Sequence, residues 1–154
     1  MALIACLILF SFCCYQDVRY RGIQWFLFPL LFAASLWWRA DFLWFDLAWN
    51  LGILTALMLA LTLYLSAKEQ HWVAITNGYF SWGDILFLAV VTPLFDPLSF
   101  LIFFTAGTFL SLLLHLLASL LKRQETVPYA GYMSLIGALA LLFPNWLTHL
   151  SALL

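Results

Sequence analysis

Long apolar runs separated by short polar clusters divide the chain. The first run covers Ala2 to Tyr15 and gives way to Gln16-Asp17-Val18-Arg19-Tyr20-Arg21-Gly22. It falls short of the roughly 20 apolar residues that a helix needs to cross a bilayer core, so it either continues past Asp17 into the interface or crosses a thin patch with little tilt. The second run, Ile23 to Trp38, closes on Trp37-Trp38-Arg39, a pattern suited to a membrane interface. A third runs from Leu43 to Ser66, with Asp46 near its start. The most polar loop follows, Ala67 to Ser81, carrying Lys68, Glu69, Gln70, His71, Asn77 and Gly78. A fourth run begins at Gly83 or Asp84 and reaches Phe95, ahead of the turn residues Asp96-Pro97. Pro93 inside it has no N–H to donate, which predicts a kink or a shortened helix. The fifth, Leu98 to Leu121, ends at Lys122-Arg123-Gln124-Glu125, and Pro128 to Leu154 supplies the sixth. Gly131 and Gly137 in that last segment allow another helix to approach closely.

Composition turns six apolar helices into a membrane protein. Of the 154 residues 66% are hydrophobic and 8% charged, against roughly a quarter charged in a soluble domain. The expected fold is all-α and integral to a membrane, a polytopic bundle of about six transmembrane helices with lipid around it, no soluble domain and no internal repeat. A net charge of -1 without a basic tract excludes nucleic-acid binding. Cys6, Cys13 and Cys14 all fall in the first run, with no CxxC pair, so they read as buried helix thiols and not as a zinc site. Leu3-Ile4-Ala5-Cys6 has no basic region and no full apolar stretch before it, so the first run is read as a retained helix. His71, His115 and His149 have no metal-ligand spacing; His115 is expected to make an interhelical hydrogen bond and the other two to be interfacial. Trp37, Trp38, Trp44 and Trp72 fit interfacial belts. Neither a metal nor a cofactor is implied.

Charge bias orients the spans. With the loops numbered alternately, Arg19, Arg21, Lys68, Lys122 and Arg123 share one side, and Arg39 alone lies on the other. Basic loops stay in the cytoplasm, which places both termini outside. Asp17 and Asp84 then fall together on the cytoplasmic side, whereas Asp41, Asp46 and Asp96 lie near the opposite face.

Asp84 interrupts the stretch from Tyr79 to Leu88, YFSWGDILFL, just where a polar loop becomes apolar. Carboxylates at the edge of a span are rare and point to a functional site with a partner; the partner expected here is Asp17. Two adjacent carboxylates cannot both ionise cheaply, so they share a proton. Such a pair can hydrolyse a peptide bond, the ionised member drawing a proton from water while the protonated one hydrogen-bonds the scissile carbonyl. The plainer alternative is that each aspartate marks a helix end, Asp84 as a charge favoured by its helix dipole. Helix ends also predict Asp84 as the ionised base and Asp17 as the acid, within a pair that titrates as a unit.

Three segments then resemble a known family. Tyr15-Gln16-Asp17-Val18-Arg19-Tyr20-Arg21-Gly22-Ile23 is similar to the first aspartate motif of the type IV prepilin peptidases, membrane aspartyl proteases that include the preflagellin peptidases. Ser81-Trp82-Gly83-Asp84-Ile85-Leu86 resembles their GxGD motif, and Val127-Pro128-Tyr129-Ala130-Gly131-Tyr132-Met133 resembles the Pro-Phe-Gly-Pro segment that opens the last helix. Ser81 stands where the family has its first glycine, Gln24-Trp25 where Pro-Asn commonly follows, and Ala130-Gly131 rearranges the glycine-proline pair.

The resemblance implies a single transmembrane peptidase domain over residues 1–154. It implies an aspartic endopeptidase of the inner, cytoplasmic membrane that removes the short basic leader of a pilin-like or flagellin-like precursor at the cytoplasmic face. The cysteine-rich insert of the longer, methylating members is missing after the first run, so cleavage without N-methylation is expected. Asp17 and Asp84 would be catalytic, supported by Gly83, Ser81, Arg19, Arg21, Pro128 and Gly131. A lone Gly83 would let substrate backbone approach Asp84. Arg19 and Arg21 also read as topology determinants or partners of Asp17, and Lys68, Glu69 and Glu125 as a solvated loop or as leader-recognising charges. The rival functions are a catalytically silent membrane assembly or scaffold protein and a small proton-coupled transporter.

Overall fold

The computed structural model describes residues 1–39, 44–72, 74–76, 80–121 and 127–143. Asp41, Asn77, Gly78, Tyr79, Lys122, Arg123, Glu125 and His149 lie outside the described residues, as does everything after Phe143. Among the described residues regular structure is helical throughout: α1 (Ala2–Tyr20), α2 (Leu27–Trp38), α3 (Trp44–Glu69), α4 (Trp82–Val91), a 3-10 turn (Thr92–Leu94), α5 (Pro97–Leu121) and α6 (Tyr129–Leu142). Three of these, α1, α3 and α5, are long and apolar enough to cross a membrane, while α2, α4 with its turn, and α6 are shorter.

The first run continues past Asp17, which is the former of its two options. α1 ends only at Arg21, whose left-handed backbone (φ 58°) turns its N–H back to the Asp17 carbonyl. α2 starts later than its apolar run because Gln24-Trp25-Phe26 forms a turn, with the Leu27 N–H on the Gln24 carbonyl. Gln16 clamps that turn to α1. Its Oε1 accepts the Gln24 N–H at 3.0 Å, and the two side-chain amides bond each other at 3.1 Å.

Pro93 shortens α4 as expected, and the neighbours repair the break. The missing N–H would have bonded the Ala89 carbonyl; the Thr92 hydroxyl donates to it instead, at 2.7 Å. Ser35 of α2 donates to the Val90 carbonyl at 3.3 Å. From α3, the Asn50 side-chain amide donates to the carbonyls of Thr92 (3.0 Å) and Phe95 (2.8 Å). In an apolar surround every freed carbonyl needs such a partner. Ser35, Asn50 and Thr92 are accordingly fully buried.

These contacts also set the directions. Late α2 and early α3 both meet the end of α4, so α2 and α4 run together and α3 runs against them. α1 buries Cys6, Phe10, Cys13 and Asp17 along one helical face, and α6 packs antiparallel to it with its small residues. A Cβ on Gly137 would stand 3.1 Å from the Phe10 ring, and one on Gly131 would stand 3.2 Å from Asp17. α5 backs α6: a Cβ on Gly107 would come within 2.7 Å of the Met133 sulfur. Phe10 meets Phe87 edge-on at 6.1 Å, joining α4 to the same core.

Outside this core the helices present apolar side chains. Exposed tryptophans gather at both ends: Trp37, Trp38, Trp44 and Trp49 where α2 meets α3, and Trp25, Trp72 and Trp82 at the other. That distribution and the three long helices suit a membrane-associated protein. Arg39 and Asp46 pair at 2.6 Å at the first of these ends. Cys6 and Cys13 are buried free thiols, and Cys14 is half-buried. His71 is exposed, with Nδ1 2.8 Å from the Glu69 carbonyl oxygen. Among the described residues the buried Nδ1 of His115 has no hydrogen-bond partner, so the expected interhelical bond is not made through that nitrogen. The reason is register. Thr108 is level with Tyr129 at the very start of α6, so α5 carries His115 beyond the helix that would have faced it.

Candidate active site at the start of the last helix

An α-helix begins with N–H groups that have no intrahelical acceptor, usually satisfied by the side chain of the residue before it. Before α6 that residue is Pro128, which is buried and has no side-chain acceptor. Two side chains from elsewhere take its place. The Ala130 N–H donates to Asp84 Oδ1 at 3.1 Å, and the next N–H, that of Gly131, donates to Asp17 Oδ2 at 2.7 Å. Asp17 from the end of α1 and Asp84 from the start of α4 thus converge on neighbouring amides of one helix N-terminus, where the dipole favours negative charge.

Their surroundings differ. Asp17 is buried at 8% exposure, whereas Asp84 is partly open to the outside. The second oxygen of Asp84, Oδ2, accepts the Ser81 N–H at 3.0 Å and the Ser81 hydroxyl at 2.8 Å. Ser81 Oγ in turn accepts the Asp84 N–H at 3.1 Å. This reciprocal pairing is a capping box, with aspartate in the third helical position of α4. Asp84 therefore accepts three hydrogen bonds, an arrangement that fits a carboxylate acting as acceptor only.

Gly131 is what allows the approach. An added Cβ there would lie 3.2 Å from Asp17 Cβ, Asp17 Oδ2 and Val18 Cγ2, tighter than ordinary contact. Gly83 is different. Its added Cβ would meet only Ser81 Oγ at an ordinary 3.5 Å, so nothing within the protein requires glycine at that position.

Of the residues singled out in the sequence, Asp17, Asp84, Ser81 and Gly131 come together, with Pro128 one residue before α6 and Gly83 in the first turn of α4. Arg19 does not join them. Its guanidinium donates to the Tyr15 hydroxyl at 2.9 Å and lies 5.7 Å and 5.6 Å from the Tyr15 and Tyr20 ring centroids, an exposed cation held by aromatic neighbours on its own helix. Arg21 is exposed at the α1 terminus, and its charge acts on both Asp17 and Tyr132.

Tyr129, the first residue of α6, carries weight that the sequence did not reveal. Its hydroxyl and that of Thr108 share a 2.9 Å hydrogen bond, and its ring packs edge-on against Phe80 at 5.0 Å. These contacts tie the start of α6 to α5 and to the segment leading into Ser81. The spacing that marks Thr108 and Tyr129 as partners is tertiary, so no local signal announces it. Among the described residues no group of three or more His, Cys, Asp or Glu side chains comes together. Two carboxylates side by side, one buried and one partly open, have the elements of acid–base hydrolysis without further groups. Compared with known proteins, the chain matches no family model, no curated protein and no solved structure.

Proposed function

We propose that this protein is a membrane aspartyl endopeptidase in which Asp17 and Asp84 form the catalytic pair. The observation that carries the reading is the convergence of two carboxylates, distant in sequence, on consecutive amides at the start of α6. Asp84, surrounded by donors, acts as the ionised base. Buried Asp17 holds the shared proton. Asp84 takes a proton from water as the water oxygen attacks the scissile carbonyl carbon, and Asp17 passes its proton to the carbonyl oxygen. The tetrahedral adduct collapses as Asp84 gives its proton to the leaving amine and Asp17 recovers the proton from the hydroxyl. The C–N bond breaks and both carboxyl groups return to their starting states.

The six helices are read as six spans, with the shorter α2, α4 and α6 completed by interfacial segments. The bias of the basic loops supports a pair at the cytoplasmic face of the inner membrane. The three segments that resemble prepilin-peptidase motifs supply the proposed substrate class, the short basic leader of a pilin-like or flagellin-like precursor, cut without methylation.

A structural reading is favoured by the same hydrogen bonds. Asp17 and Asp84 satisfy amides that Pro128 leaves without a cap, and a silent scaffold protein would need them for that alone. Asparagine separates the two most cleanly at Asp17, where its side-chain carbonyl still accepts the α6 amide but cannot exchange a proton; at Asp84 it also sets an NH2 group against the Ser81 N–H. Co-expression with a pilin-like precursor is expected to give leader removal, lost by at least about 100-fold in Asp17→Asn and in Asp84→Asn, each still folded. Cleavage that persists in either variant removes that residue from the mechanism, and no cleavage of any such precursor by the unaltered chain favours the scaffold.

A further inference from the structure

The geometry points to Ser81 as the positioning residue of Asp84, one that selects Oδ1 as the oxygen that receives the proton of the attacking water. This rests on the peptidase reading and deepens it. A carboxylate offers about two acceptor positions on each oxygen. On Asp84 both positions of Oδ2 are filled by Ser81, one by its N–H and one by its hydroxyl. Among the described residues Oδ1 accepts the Ala130 N–H alone. Oδ1 is also the oxygen bound to the amide next to the one that holds Asp17.

Glycine, the residue the GxGD pattern places here, would supply the backbone donor alone. It would leave Oδ2 with an open position and Asp84 held by one backbone hydrogen bond on each oxygen. Ser81 also receives the Asp84 N–H on Oγ, so its hydroxyl is oriented by the residue it orients. The serine is therefore a gain in constraint at this turn, where the motif taken alone counts it as a loss.

The test compares Ser81→Gly, Ser81→Ala and Ser81→Thr with the unaltered chain, each in detergent micelles with helicity checked by circular dichroism. Two readouts are taken on the same samples: cleavage kinetics on a pilin-like precursor, and the infrared carboxylate band of ¹³C-aspartate, with Asp84→Asn identifying the Asp84 component. Glycine and alanine are expected to lower kcat by about tenfold, the size of one lost charge-assisted hydrogen bond. KM should stay within about twofold, and threonine, which keeps the hydroxyl, should restore kcat. The Asp84 band should move in the glycine and alanine variants and return in threonine. A glycine variant that cleaves as fast as the unaltered chain overturns the inference, and so does a defect confined to KM, which would make Ser81 a substrate contact. If the unaltered chain cleaves no precursor, the peptidase reading falls and Ser81 has no reaction to position. In that case the infrared band still reports whether Ser81 holds Asp84.

Discussion

At the scale of single residues, the two glycines near the site make opposite predictions. Gly131→Ala forces a methyl group to within 3.2 Å of Asp17 and Val18, so these side chains must give by a few tenths of an ångström. Overpacking of this kind costs about 1–3 kcal/mol, and the displacement opens the carboxylate pair as well. A lower melting temperature in detergent and a fall in cleavage of more than about tenfold are both expected, since small misplacements at a reacting centre are costly. Gly83→Ala should leave the melting temperature within a degree or two of the unaltered chain, because its methyl group enters ordinary contact only. If its cleavage nevertheless drops, the missing side chain serves substrate approach; if cleavage is unchanged, Gly83 is an ordinary first-turn residue. Asp17 and Asp84 were legible in the sequence because a carboxylate bordering an apolar run stands out. The role of Ser81 was equally written there as Ser81-x-x-Asp84, a capping-box spacing, but comparison with a glycine motif hid it. Arg19 lies apart from the pair for a local reason, as its guanidinium rests against Tyr15 and Tyr20 of its own helix.

At the scale of elements, the break at Pro93 shows how polar residues in apolar runs are assigned. Proline announced the break, and the runs containing Ser35, Asn50 and Thr92 gave no hint that these three would serve it. Their partners are carbonyls on another helix or one turn back, invisible to periodicity. Asn50→Leu removes both of its bonds to Thr92 and Phe95. Interhelical hydrogen bonds in membrane proteins average about 0.6 kcal/mol each, so a loss near ~1 kcal/mol is expected, seen as a modest drop in melting temperature. The aspartate pair lies at the other end of α4, so cleavage below the melting transition should persist. Loss of cleavage in a folded Asn50→Leu protein would show that the break is coupled to the site.

For the molecule as a whole, the six apolar runs correspond to six helices among the described residues, with the α2 start and the α4 end displaced by a turn and a proline. The pairing of α1 with α6 was foreshadowed only by the small residues of the last helix. Two belts of exposed tryptophan at opposite ends, with Arg39 at one and Arg19 and Arg21 at the other, give the orientation a direct test. Single cysteines placed at Tyr20 and Trp38, in a background with Cys6, Cys13 and Cys14 replaced by serine or alanine, should react differently in intact cells. A membrane-impermeant maleimide is expected to label position 38 from outside and position 20 only after the membrane is opened. The opposite pattern would place the carboxylate pair on the far side and exclude a cytoplasmic cut.

The cap that Asp17 and Asp84 form on α6 also fixes a moment in the life of the chain. α1 and α4 leave the ribosome before Pro128 does, and until then the two carboxylates have no common anchor. Insertion of α6 draws them together, and its own first amides depend on finding them there. The earlier helices can enter the bilayer beside a passing precursor without a formed pair to cut it. On the proposed peptidase reading, activity begins with the insertion of the last helix described here, and a chain stopped before that helix is expected to be inert even if its first five helices insert correctly.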